Sequence, residues 1–157
     1  MSIQFFDHLK TITNINQRRF EIRKAFNYYL NLNDFSTAEQ VADLMDDLNS
    51  KDSLIYDICT KLLSFNCNAA FILSSTIRDE TDKDICLSQI AIKSYKTKDF
   101  TIFNAALKYI KSTKVALHTI NCLYKMEIKA KNKTLAAQLL LISSYYDFEE
   151  SSGMPST

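Results

Sequence analysis

The sequence predicts an all-α fold of about four stacked helical hairpins preceded by a short N-terminal helix. Three observations predict it. Gly153 and Pro155 are the sole glycine and proline of 157 residues. A β-rich chain of this length needs many tight turns, which recruit glycine for positive φ or proline for a preset one. Apolar residues recur at the i, i+3, i+4, i+7 spacing of an amphipathic helix, as in Ala38, Val41, Ala42 and Met45. Finally, the chain matches itself at a shift of about 32 residues.

That shift lays 38–61 on 70–93 without a gap. It gives identities at Ala38/Ala70, Asp47/Asp79, Lys51/Lys83, Asp52/Asp84, Ile58/Ile90 and Lys61/Lys93. Asp34-Phe35 returns as Asp99-Phe100, with Asn66-Cys67 midway, and Met45, Ile77, Ile110 and Ile142 mark one position in four units. The third inter-helix turn reads as three residues shorter, Ser112-Thr113-Lys114 standing for Asp79–Lys83.

Taken in order, a first helix is expected over 3–13 and a second over 18–32. Ser36 followed by Glu39 reads as a capping box opening a helix over 35–48. Leu54, Ile58, Leu62 and Phe65 define the next, over 52–65, followed by 67–80 and 84–97. Phe103, Ala106, Leu107 and Ile110 give 100–112, and Val115, Ile120, Leu123 and Tyr124 give 114–130. Leu135, Leu139 and Ile142, after a Thr134 cap, give 133–147. Connections this short force neighbouring helices to run antiparallel. One hairpin cannot bury its own apolar face, but stacked hairpins bury a continuous one, so an α-solenoid is expected over 1–148. A disordered tail over 149–157 follows. A closed helical bundle with accidental internal similarity is the competing architecture.

The functional classes narrow next. Glycine-rich phosphate loops, nucleophile elbows and paired metal-binding histidines are absent as motifs, so no enzymatic activity and no cofactor are expected. Cys59, Cys67, Cys86 and Cys122 lie in apolar helical settings without C-x-x-C spacing. They read as reduced, largely buried residues, and with His8 and His118 they make no metal site. No apolar run approaches the roughly 20 residues of a membrane span, and the N-terminus lacks the pattern of a secretory signal. A cytoplasmic site of action follows, export without a cleavable signal staying compatible.

The formal net charge of +1 hides an asymmetry. Between Asp34 and Asp57 seven acids face Lys51 alone, whereas between Lys93 and Lys133 ten lysines face Asp99 and Glu127. Lysines scattered over several helices in a near-neutral chain argue against nucleic acid. They suit an acidic segment of a protein partner, or a solvated surface.

Ala25, Tyr28, Tyr29, Asp34-Phe35, Ala38 and Met45 resemble the small/aromatic pattern of tetratricopeptide repeats, as do Ile92, Tyr95, Asp99-Phe100, Phe103 and Ile110. The resemblance covers 18–147 and departs from the family in lacking its first-helix glycine and its helix-ending proline. In size and outline the chain is also similar to the repeat-type chaperones of bacterial type III secretion. The tetratricopeptide resemblance implies a right-handed α-α superhelix, a scaffold, adaptor or chaperone that holds a peptide or helix against a concave face lined by the first helix of each pair.

The residues nominated for that face are Asn27, Asn31, Asn104 and Asn121, whose amides can pair with a ligand backbone, and Tyr95 as an aromatic anchor. Lys108, Lys111 and Lys125 would attract an acidic partner. The apolar run Leu139-Leu140-Leu141-Ile142, with Leu135, Tyr145, Tyr146 and Phe148, raises a second function: self-assembly as a homodimer through the C-terminal hairpin.

Overall fold

The computed structural model describes the backbone of residues 3–152 and the side chains of residues 7–146. Every regular element among them is a helix: α1 (Ile3–Thr11), α2 (Ile15–Asn31), α3 (Phe35–Ala42), α4 (Leu48–Leu62), α5 (Cys67–Ser74), α6 (Glu80–Lys96), α7 (Phe100–Tyr109), α8 (Thr113–Lys129) and α9 (Lys133–Ser152). All the expected helices are present, and α9 carries helical backbone to Ser152, beyond the boundary expected near 147. Residues 153–157 lie outside the described residues.

Long helices alternate with short ones because two kinds of cap recur. Asn14, Asp47, Asp79 and Ser112 open the long helices α2, α4, α6 and α8 at an interval of about 33 residues. Each side chain accepts a backbone N–H of the first turn. Asp34, Asn66, Asp99 and Asn132 do the same for α3, α5, α7 and α9.

Three of these second caps also close the helix before them. The N–H groups of Asp34, Asp99 and Asn132 donate to the carbonyls of Tyr29, Ser94 and Glu127, in the manner of a Schellman closure. The residue preceding each cap takes the left-handed conformation, at φ 58° for Asn33, 61° for Lys98 and 59° for Lys131. Glycine is the usual occupant there; this chain uses none.

The caps correct several expectations. The cap of α3 is Asp34, not Ser36, and that of α9 is Asn132, not Thr134. Helices α3, α5 and α7 stop at Ala42, Ser74 and Tyr109, short of the periodic pattern. The hydroxyls of Ser74, Ser75 and Thr76 donate to the last carbonyls of α5 and help end it there. Met45, Ile77 and Ile110 keep the apolar spacing but lie beyond the helix end, 7%, 1% and 6% exposed, as plugs between hairpins. Each sits two residues before a long-helix cap, so the third turn lacks no residues. Phe65 is exposed beyond α4, edge-on to Phe35.

The core follows the same register. Ile22, Ile55, Leu87 and Ile120 occupy one turn of the four long helices, and each is at most 2% exposed. Burial of such a side chain contributes about 1.5–3 kcal/mol. Helices α2/α3, α4/α5, α6/α7 and α8/α9 pack as hairpins; α4 then packs on α6, and α6 on α8. This order is compatible with a helical repeat.

Buried carboxylates hold successive hairpins in register. Asp52 on α4 accepts the N–H groups of Arg78 and Asp79, at 2.9 and 3.0 Å, just ahead of α6. Asp84 on α6 accepts those of Lys111 and Ser112, at 2.9 and 2.8 Å, just ahead of α8. Both are 3% exposed. A carboxylate facing the positive end of the next helix satisfies donors that nothing else reaches. The first junction inverts the charge: Arg19, at the equivalent position of α2, bonds Asp46 at 2.8 Å and pairs with Asp47 at 3.3 Å, both part-exposed. Arg19 holds Asp46 below the usual carboxylate range through this hydrogen bond.

Asp84→Ala strands two buried N–H groups and is expected to lower the unfolding free energy by about 2–4 kcal/mol in a denaturant titration. Lys98→Gly relieves a left-handed side chain and is expected to raise it by about 0.5–1 kcal/mol in the same measurement.

Candidate functional site

Helices α7 and α9 diverge around a groove of about 390 Å³. Tyr95 on α6 and Phe103 on α7 form its floor, and Phe100, Leu135, Leu139, Leu141 and Ile142 its walls, with the Asn104 and Gln138 amides at the rim. The Tyr95 ring lies edge-on to both Phe100 and Phe103, at 5.7 and 5.3 Å between centroids, an arrangement aromatic quadrupoles favour. Tyr146 donates its hydroxyl to the Leu107 carbonyl at 3.3 Å and ties α9 to α7 at the far end. Leu141 is 72% exposed and Phe100 44%, so apolar surface lines the mouth as well as the floor.

Tyr95 is 6% exposed, and its buried hydroxyl lies near the Glu127 carboxylate. Burial pushes its phenol up to about 12, and the nearby Glu127 carboxylate, itself buried, adds to the shift. An anion at this oxygen would lose water and face a like charge.

The eight nominated residues separate into groups. Tyr95 and Asn104 meet in the α7–α9 groove, and Lys108 is exposed one turn beyond Asn104. Asn27 and Asn31 share one exposed face of α2; Asn121 and Lys125 share one of α8. Lys111 is committed to structure: its ammonium pairs with Glu80 at 2.9 Å while its backbone N–H serves Asp84.

Sequence reasoning did not nominate Phe100, Phe103, Leu135 or Leu141 as groove residues for a ligand, because each also fits a core or self-association stripe, nor Gln138, which reads as an ordinary surface residue. One signal was present. Four successive apolar residues from Leu139 to Ile142 cannot all face inward on a helix turning 100° per residue. Leu139 is 2% exposed and its neighbours Leu140 and Leu141 are 50% and 72%.

A second cavity, of about 370 Å³, lies between the α4–α5 and α6–α7 connections and is more polar, lined by Asn66, Asn68, Lys93 and Asp99 among others. The four cysteines are free thiols. Cys59 and Cys86, both fully buried, lie against each other; that contact and the burial push Cys59 above its ordinary range, so it offers no thiolate. Cys122 is exposed, its sulfur 3.6 Å from Nε2 of His118, and no carboxylate hydrogen bond orients that imidazole among the described residues. No group of three or more metal-ligating side chains converges among the described residues, and no helix there is long and apolar enough to cross a membrane.

No family model, curated protein or solved structure matches the chain.

In an ultraviolet pH titration Tyr95 is expected to ionise near pH 12, and Tyr95→Phe should remove that late step. The phenol titrates higher folded than unfolded, so its contribution to stability is complete below about pH 10 and is lost as the pH rises toward 12.

Proposed function

We propose that the protein is a binding module, a scaffold, adaptor or chaperone built as a tetratricopeptide-like superhelix, that holds a peptide or helix of another protein. The observation that carries this reading is the apolar α7–α9 groove, with Leu141 and Phe100 exposed at its mouth and Tyr95 and Asn104 within it. Pockets that take a protein ligand combine apolar walls with a few placed polar groups, and this groove has that make-up.

The charge pattern supports the choice of ligand. Lys108, beside the groove, makes no ion pair among the described residues and is left to meet an acid on the ligand. A segment with one or two apolar anchors next to acidic residues fits both features. The anchoring site thus falls between second helices, whereas the resemblance points to the first helices of each pair.

The resemblance gives the concave face to the first helix of each pair, and Asn27, Asn31, Asn121 and Lys125 stand on those long helices as secondary contacts.

The test is capture of a partner from the native host, followed by titration of the identified segment. Leu141→Asp should weaken binding about tenfold or more, because a buried anchor wall is lost. Lys108→Glu should weaken it less, with a reduced salt dependence. Lys111 is unsuited to charge reversal, since its loss breaks the bridge to Glu80. Binding untouched by both substitutions would remove the groove from the proposal.

A further inference from the structure

The end of the molecule formed by α8 and α9 differs from every preceding hairpin in what it leaves uncovered. Positions can be compared by counting from the recurring caps. On the short helices the residue eight places after the cap is Ala42, Ser74, Leu107 and Leu140. The first three are 0%, 1% and 5% exposed, each covered by the hairpin that follows; Leu140 is 50% exposed.

The long helices repeat the pattern. Phe26, Cys59 and Ala91 are fully buried, while their equivalent on α8, Tyr124, is half-buried. At the position of Ile128, which is 51% exposed, the preceding long helices carry Tyr95 at 6% and the part-buried Leu30 and Leu63. Where α4 and α6 place the register carboxylates Asp52 and Asp84, α8 carries Leu117. Leu117, Tyr124, Ile128 and Leu140, with the exposed Asn121 amide among them, therefore form one largely apolar end face, and no described element lies over it.

The opposite end has different chemistry. At the positions by which Leu54, Cys86 and Thr119 meet the preceding hairpin, α2 carries Glu21, paired with Lys24 at 3.8 Å. Head-to-tail stacking would press that ion pair onto Ile128 and Leu140 and strip its water without a new partner. At the N-terminal end the exposed Tyr28 and part-buried Tyr29 share their surface with the Glu21–Lys24 pair, whereas the α8–α9 face carries no ion pair among the described residues.

We propose that the α8–α9 end face pairs with the same face of a second copy of this chain, tail to tail about a two-fold axis. Such an isologous contact closes at two copies, whereas a head-to-tail contact would grow. The area suffices for a modest dimer. Helix α8 has 17 residues. With α9 beside it, a length of about 25 Å and a width of about 10 Å for each of the two helices give roughly 500 Å² of face per copy, about 1,000 Å² in all. That lies at the lower edge of stable interfaces, so the dimer forms and dissociates with concentration. Lys114 and Lys125 stand beside the α8 stripe and Lys133 at the start of α9; none is ion-paired among the described residues. Two copies bring these like charges together, so added salt strengthens the dimer, opposite to its effect on an acidic ligand.

Sedimentation equilibrium on the full chain, from low micromolar to near-millimolar concentration and at low and high salt, tests this. The expected mass rises from one chain of 18.1 kDa to twice that, at lower concentration when salt is added. Ile128→Asp and Leu140→Asp, each at a half-exposed site, should hold the mass at one chain with unchanged circular dichroism. Leu141→Asp, one residue along and facing the α7–α9 groove, should leave the dimer intact, so this contact and ligand binding fail separately. A single-chain mass under every condition, growth past two copies, or a dimer indifferent to Ile128→Asp and Leu140→Asp would overturn the proposal.

Discussion

The arrangement depends on two buried carboxylates that reach across helix junctions to backbone donors. Every long helix presents N–H groups at its approach that no helical carbonyl can satisfy. At the α6 and α8 junctions those donors are buried by the packed hairpins, and Asp52 and Asp84 accept two each. Apolar contact alone tolerates sliding of one hairpin on the next. A carboxylate with two short, directed bonds does not, so the caps, plugs and core rows of successive units stay aligned. The plugs Ile77 and Ile110 sit next to the bonded backbone and are placed by it.

The two ends depart from that rule, and the departures are where interactions are expected. At the first junction the buried acceptor is replaced by Arg19, exchanged with Asp46 and Asp47 in a part-exposed ionic contact. Exposed pairs are screened and contribute little to stability, so this junction is the softer one. At the last hairpin Leu117 takes the acceptor's place and an apolar face remains. The acidic and basic halves of the chain follow from the same division. Acids gather around the first junction, where Arg18, Arg19 and Lys51 answer several of them; apart from Lys111, which pairs with Glu80, the lysines from α7 to α9 lack such partners among the described residues.

Much of the fold was legible because periodicity and repetition are local properties. The nine helices among the described residues, and their pairing, follow from apolar spacing, breaker content and the internal match. Boundaries were less legible. Met45 obeys the helical spacing yet lies past the end of α3, since a cap at Asp47 and the plug's burial override the pattern. The identities Asp47/Asp79 and Asp52/Asp84 were visible as repeats, but their roles were not. A cap depends on local turn geometry, and a register carboxylate meets a backbone some 26 to 28 residues away. Of the nominated site, Tyr95 and Asn104 converge, while Lys111 belongs to a junction. The groove walls were hidden because a partly exposed leucine has the same sequence signature as a buried one.

The central claim is that buried carboxylates clamp one hairpin to the next, and native-state hydrogen exchange of individual amides tests it most directly. The N–H groups of Arg78, Asp79, Lys111 and Ser112, although in connecting segments, should exchange as slowly as the cores of α4 and α6 and require global unfolding. Exchange of these four amides at the rate of an open loop would contradict the clamp, leaving the hairpins held in register by apolar packing alone.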